Sequence, residues 1–157
     1  MDNTESKKIN KIVRFRLEEP RYAIYLSEIE RVIQAIEIIP LPKAPQKILG
    51  IINIHGEIIP VIDVRSIFRL PRRALHIDDQ FIIANTKKRR VALVVDEVLS
   101  VTELKNSTSS NTLNELHYAD YLSGVAVIDN DVVLINDLEK FLSLEDHKLL
   151  DEAIIGK

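Results

Sequence analysis

Four histidines, His55, His76, His117 and His147, are the side chains best suited to proton transfer or metal binding in this 157-residue chain. They share no ligand-like spacing. With no cysteine in the sequence, a metal site would need carboxylates that nothing here pairs with them. Each histidine therefore reads as a surface or turn residue. Asp129-Asn130-Asp131 begins like a calcium loop but lacks the later glycine and closing glutamate, so it reads as a turn. Asp96-Glu97 could act as an acid pair, yet at a strand end it reads as a solvated corner. Ser66 and Ser123 stand in no nucleophile-elbow context. The basic stretches 69–73 and 87–90 could meet phosphate, but no aromatic residues are interleaved for base stacking. Basic turns of this kind read as solvated faces, or as edge protection against stray strand pairing.

The bulk properties exclude further classes. The 21 basic and 24 acidic residues leave a net charge of −3, which gives no general attraction to nucleic acid or anionic membrane. Without cysteine there is no disulfide or thiolate chemistry. No apolar run approaches the roughly 20 residues that span a bilayer, and residues 1–10 read as a polar, flexible leader without a signal-peptide core. The chain is expected to be cytoplasmic.

The elements that would position any site are strands. Gly50 to Arg65 reads as one hairpin, in which His55-Gly56 reverses the chain and Gly56 supplies a positive φ. The second strand, Glu57 to Ile62, is apolar at nearly every position, which predicts burial on both faces, as in a small closed barrel. Pro60 cannot donate to a ladder and so predicts an edge, a bulge or a barrel corner. Asp63 is placed to cap a short helix over 64–68. Earlier strands are predicted at 11–17, 21–26 and 32–39, with a helical turn at 27–30 and an extended Pro-rich connector at 40–45. Later ones fall at 79–85, 90–96 and 98–104, followed by a Ser/Thr/Asn loop over 105–112 and a hairpin of 121–128 with 132–135. Ser143, with Asp146 three residues on, opens a helix over 144–155 whose apolar face carries Leu149, Leu150, Ala153 and Ile154.

Laid together, the two halves repeat. Gly50 corresponds to Gly124 and Asp63 to Asp137, both at a shift of 74 (124 − 50 and 137 − 63). Ile51, Ile54, Ile58 and Val61 likewise correspond to Val125, Ile128, Val132 and Ile135. Upstream, Arg21 to Ile29 runs alongside Arg90 to Val98 at a shift of 69 (90 − 21). Two ungapped blocks in the same order predict two related small barrels.

The run Asn53-Ile54-His55-Gly56-Glu57-Ile58-Ile59-Pro60-Val61-Ile62-Asp63-Val64-Arg65 resembles the signature of CheW-like chemotaxis coupling proteins. There an asparagine-apolar-arginine-glycine turn precedes an I-P-V-x-D-L-R strand. The resemblance extends to Tyr22-Ala23-Ile24, Pro40-Leu41-Pro42, Val94-Val95-Asp96-Glu97-Val98, Tyr121-Leu122-Ser123-Gly124 and Leu149-Leu150-Asp151. It implies a mostly β fold of two intertwined five-stranded SH3-like barrels with short helices and a C-terminal helix. The expected single domain covers 11–157, with subdomains at 12–72 and 78–144.

It also implies a non-catalytic scaffold, without cofactor or metal, that couples methyl-accepting chemoreceptor tips to a CheA-type histidine kinase. Such a protein meets the membrane only through its receptors and binds no nucleic acid. A small-barrel nucleic-acid binder is the alternative. By resemblance, the interaction residues are Ile29, Arg31, Ile33, Gly50, Asn53, His55 and Val95, with exposed Ile29 and Val95 as apolar anchors of a groove for a receptor helix. Two of these depart from the family. Arg31 stands where the family has a glutamate and His55 where it has an arginine, so the attraction expected between those places is missing here.

Overall fold

A computed structural model describes residues 11–104 and 119–155; the leader at 1–10 and the loop at 105–112 lie outside the described residues. Among the described residues ten strands form two five-stranded antiparallel-rich sheets. In chain order they are β1 (Lys11–Leu17), β2 (Glu19–Tyr25), β3 (Ile29–Gln34), β4 (Ile48–Ile54), β5 (Glu57–Ile62), β6 (Gln80–Asn85), β7 (Arg90–Val95), β8 (Glu97–Glu103), β9 (Leu122–Ile128) and β10 (Asp131–Asn136). Two α-helices punctuate them, α1 (Val64–Ile67) and α2 (Leu144–Ala153). The fold is mostly β with SH3-like lobes, as the sequence predicted.

The first sheet is ordered β8-β1-β2-β10-β9 and the second β3-β6-β7-β5-β4. Each sheet thus takes the first two strands of one repeat and the last three of the other. The intervals 12–72 and 78–144 follow the repeats along the chain, whereas the sheets cut across them. Register confirms the repeat residue by residue. Val61 pairs in parallel with Ala92 in one sheet, and Ile135 with Ala23 in the other, at the shifts of 74 and 69 already seen (135 − 61 and 92 − 23).

Local chemistry explains the hairpins. His55 (φ 52°) and Gly56 (φ 88°) turn β4 into β5, and Asp129 (φ 52°) and Asn130 (φ 67°) turn β9 into β10. Two consecutive positive φ values match the right-handed strand twist, and His, Asn and Asp tolerate them better than branched residues do. Asn53 Oδ1 fastens the first turn by accepting from the Gly56 N–H at 2.8 Å. Asp63 caps α1 by accepting from the Ser66 N–H. Ser143 and Asp146 form the expected reciprocal capping box on α2.

Several expectations need correction. The predicted strand at 32–39 is β3 at Ile29–Gln34. Beyond it the chain leaves β6, and Ile39 exchanges two 2.8 Å backbone bonds with Ile51 on β4. A segment continuing from one sheet edge therefore reaches the other edge and closes the second lobe. The 40–45 connector is not simply extended: Lys43 has φ 66° and the Ala44 N–H donates to Leu41 O. Pro60 lies in an internal strand, between β4 and β7. Its partner Ile51 directs its own hydrogen bonds toward Ile39, so Pro60 owes β4 no donor. Pairing with β7 begins one residue later, at Val61.

Among the described residues three apolar clusters hold the molecule. Ile12, Ala23, Ala126, Val133 and Ile135 fill the first lobe, and Ile52, Ile59, Val61, Phe81, Ile83 and Ala92 fill the second. The largest lies between the lobes and joins Phe15, Tyr22, Ile24, Ile62, Leu93, Val95, Phe141 and Leu150. Strands buried on both faces, such as β7, thus serve two cores at once.

Candidate functional site

The structure separates the seven residues singled out in the sequence. Val95 is fully buried in the central core, so it is no exposed anchor. Its strand is apolar on both faces, and the face carrying Val95 points between the lobes. Ile29 is half-buried against that same core, and Ile33 is half-buried against the interior of the second lobe. Arg31, Asn53 and His55 are exposed. Gly50 is buried because Ile39 crosses it: a Cβ there would stand 2.3 Å from the Ile39 carbonyl oxygen.

β3 and β4 occupy opposite ends of the strand order, and among the described residues no ion pair joins Arg31 to His55. What spans the neighbourhood is Arg90, at the start of β7. Its Nε donates to Glu30 Oε1 at 2.7 Å and its Nη1 donates to Glu57 Oε1. The charge bridge thus uses the acidic residues beside Arg31 and His55 rather than those residues themselves. A basic turn read as solvated supplies its cation.

A second network missed by sequence reasoning lies where β7 meets the 63–73 segment. Asp96 was expected in solvent, but its side chain is only 8% exposed. It accepts from Arg65 Nη2 at 2.6 Å, Arg73 Nη2 at 2.7 Å and the Glu18 N–H at 2.8 Å. Arg65 also reaches Glu18 at 2.5 Å, and Arg73 grips both oxygens of Asp79 at 2.7 and 2.9 Å. Burial alone would raise the Asp96 and Asp79 carboxyls. The backbone N–H and guanidinium donors outweigh it and hold both below the usual range. The available signal was the arginine ending the I-D-V-R strand and the aspartate ending the V-V-D strand.

The histidines also need one correction. His147 is 6% exposed, on the α2 face that also carries Leu150. Its Nδ1 accepts from Arg89 Nε at 3.1 Å. Burial, and then the Arg89 and Lys88 charges, push its pKa below the ordinary value. Among the described residues no three His, Asp or Glu side chains gather as a metal site would require. His117 lies outside the described residues.

Exposed apolar residues occur on both lobes, and Leu75, Ile77, Leu144 and Ile155 are exposed outside the strands. Val32, Ile36, Ile39 and Leu49 lie on the second lobe, at 36%, 38%, 45% and 40% exposure, and Leu99, Val101, Val127 and Val132 lie on the first. Val127 and Val132 face each other directly across β9 and β10. Each lobe thus presents apolar side chains to solvent that a partner could cover.

The comparisons agree with this architecture. The family model described as CheW-like domain matches residues 11–146. A chemotaxis protein CheW from Thermotoga maritima is 27% identical over 135 residues, covering 83% of this chain and 86% of that protein. Another from Treponema pallidum is 25% identical over 142 residues, covering 86% and 83%. The crystal structure of scaffolding protein TtCheW from Thermoanaerobacter tengcongensis superimposes with a TM-score of 0.75 at 28% identity, over 87% of this chain and 90% of that one. With its strand-exchanged lobes and a family match over most of its length, the chain belongs to the CheW-like domain family.

Proposed function

We propose that this chain is a non-catalytic signalling scaffold that couples methyl-accepting chemoreceptor tips to a CheA-type histidine kinase. The observation that carries the reading is the match to the CheW-like family over residues 11–146, and exposed apolar side chains on both lobes support it. A coupling protein must hold two partners at once, and buried apolar anchors dominate the energies of such contacts. The described basic turns favour this reading over a nucleic-acid binder. Arg73, Arg89 and Arg90 are each tied to carboxylates of the chain itself and so are poorly placed to neutralise phosphates. Among the described residues no helix is long and apolar enough to cross a membrane, which fits contact with it only through receptors.

The test is co-sedimentation with a receptor cytoplasmic fragment and a CheA-type kinase, comparing the wild type with Val32→Glu and Val127→Glu. Both sites are exposed edge positions, so folding should survive. Each substitution should weaken recovery with one partner and spare the other. If neither changes the recovery of either partner, the two-surface reading fails.

A further inference from the structure

The C-terminal helix α2 buries little of itself, and half of what it buries can titrate. Of its ten residues only His147 and Leu150 are buried, Leu150 in the central core. We propose that His147 is an acid-opened latch: while neutral it ties α2 to the turn between β6 and β7, and on protonation it releases the helix. The proposal goes beyond the scaffold reading and does not depend on it.

The geometry fixes the state of the ring. Arg89, in that turn, donates from Nε to His147 Nδ1 at 3.1 Å. A guanidinium carries donors only and keeps its charge, so Nδ1 must accept and the ring proton sits on Nε2. A proton added at Nδ1 would set two donors face to face and place a second cation beside Arg89. The same arginine donates from Nη2 to the His147 carbonyl at 3.3 Å and to Asp151. One side chain thus clamps α2 at three points, and only the imidazole can turn from acceptor to donor near neutral pH.

The charges around the ring come from three elements. Arg89 and Lys88 on the turn oppose protonation, while Asp151 on α2 and Glu139 on the 138–140 turn favour it. Burial and the two cations prevail and hold the docked imidazole below its ordinary 6.5. Glu139 is already engaged, accepting from the Lys87 N–H at 2.8 Å, and so fastens the turn from its other side. Arg89 holds Asp151 below the ordinary 3.8, so that carboxylate keeps its charge between pH 7 and pH 5. Because the imidazole is less basic when α2 is docked than when it is free, the latch holds fully above about 6.5. It weakens as pH falls from there toward the docked value.

The experiment follows amide hydrogen exchange of the ¹⁵N-labelled full chain from pH 7 to pH 5, corrected for intrinsic exchange, alongside NMR titration of the His147 ring. Protection of the α2 amides should fall about tenfold, the limit for one proton being tenfold per pH unit, while β6 and β7 keep theirs. The loss should level off at the ring's own titration midpoint. His147→Gln keeps an oxygen to accept from Arg89 but cannot titrate, so its α2 protection should be the same at both pH values. The proposal is overturned by α2 protection that does not change, by a loss shared equally with β6 and β7, or by a folded His147→Gln that retains the wild-type pH dependence. Should that variant fail to fold, the wild type decides alone: a loss that levels off away from the ring midpoint overturns the latch.

Discussion

The repeat places two equivalent junctions in the molecule, and they carry opposite solutions to the same electrostatic problem. At the first, Arg65 meets Asp96, with Asp63 and Glu97 close beside them in the chain. By the shifts of 74 and 69, their counterparts are Asp137, Glu139, Ser27 and Glu28 (63 + 74, 65 + 74, 96 − 69 and 97 − 69). The backbone is alike at both: the Asp63 N–H donates to Lys47 O at 2.7 Å, and the Asp137 N–H to Tyr121 O at 2.8 Å, again 74 residues apart. Each aspartate caps the helical turn that follows it.

The side chains diverge. The first junction is neutralised by Arg65 and Arg73. The second has glutamate where the first has Arg65, and three acids crowd together. Burial, followed by the charges of Asp137 and Glu139, raises Glu28 to about 7, and Glu28 Oε1 is buried without a hydrogen-bond partner. One backbone geometry therefore tolerates either a closed ion network or a buried carboxyl that keeps its proton up to about pH 7. Fold specificity here comes from turns, caps and apolar register, and the charges are free to diverge.

Four measurements bear on that contrast. The largest effect should come from Arg65→Met, which leaves Asp96 and Glu18 short of a partner in a buried setting. We expect a loss of about 3 kcal/mol in urea unfolding, against less than about 0.5 kcal/mol for Glu139→Met. Equal losses would mean that the junctions are energetically alike. Next, the two equivalent glycines separate the covered strand edge from the open one. Gly50→Ala would drive a Cβ into the Ile39 carbonyl, costing about 2 kcal/mol. Gly124→Ala meets nothing within 4 Å and should stay within about 0.5 kcal/mol of the wild type.

Third, the junctions should respond to pH with opposite signs. Glu28 has a raised folded-state pKa, so its contribution is complete below its ordinary 4.5 and is lost as pH rises through about 7. Asp96 and Asp79 are lowered, so theirs is present above the ordinary 3.8 and lost on acidification. Glu28→Gln should therefore stabilise the protein by about 1 kcal/mol at pH 8, after allowing for solvent screening. At pH 4 it should give no advantage. A parallel shift at both pH values would remove Glu28 as the cause. The smallest effect is expected from Glu139→Arg, which copies the first junction into the second. The NMR titration midpoint of Glu28 should fall below about 7, and an unmoved midpoint would show that burial alone sets it.

What could be read from the sequence was local. His55-Gly56, Asp129-Asn130, the Asp63 cap and the Ser143 capping box are each specified within a few residues, and all appear where expected. The repeat was legible because its glycines and aspartates keep constant spacing. The exchange of strands between repeats was implied only by the family resemblance, with its intertwined barrels, and by no pattern in the residues themselves. Because the repeats are equivalent, β3–β5 satisfies the same pairing rules with the first two strands of either one. Val95 was misplaced because Val94 and Val95 both look core-like in a strand apolar on two faces. The Arg65–Asp96 pair spans 31 residues, a separation that no helical or strand period reports. His147 was missed because a polar residue on an apolar helix face is recognised only once Arg89, 58 residues away, is seen to satisfy it.

The strand exchange has a consequence for how the chain is made. The second sheet uses β3 to β7, a continuous stretch from Ile29 to Val95, so all its strands are synthesised before β8 is. The first sheet cannot be completed then, because β1 and β2 must wait for partners ending at Asn136. Until that point β2 has no parallel neighbour, and its apolar Tyr22-Ala23-Ile24 is an open template for mispairing. Folding should accordingly proceed in two stages on the ribosome, with the N-terminal hairpin as the segment most in need of a chaperone. A released chain truncated near residue 100 should protect the 29–95 stretch from protease while leaving 11–25 cleavable.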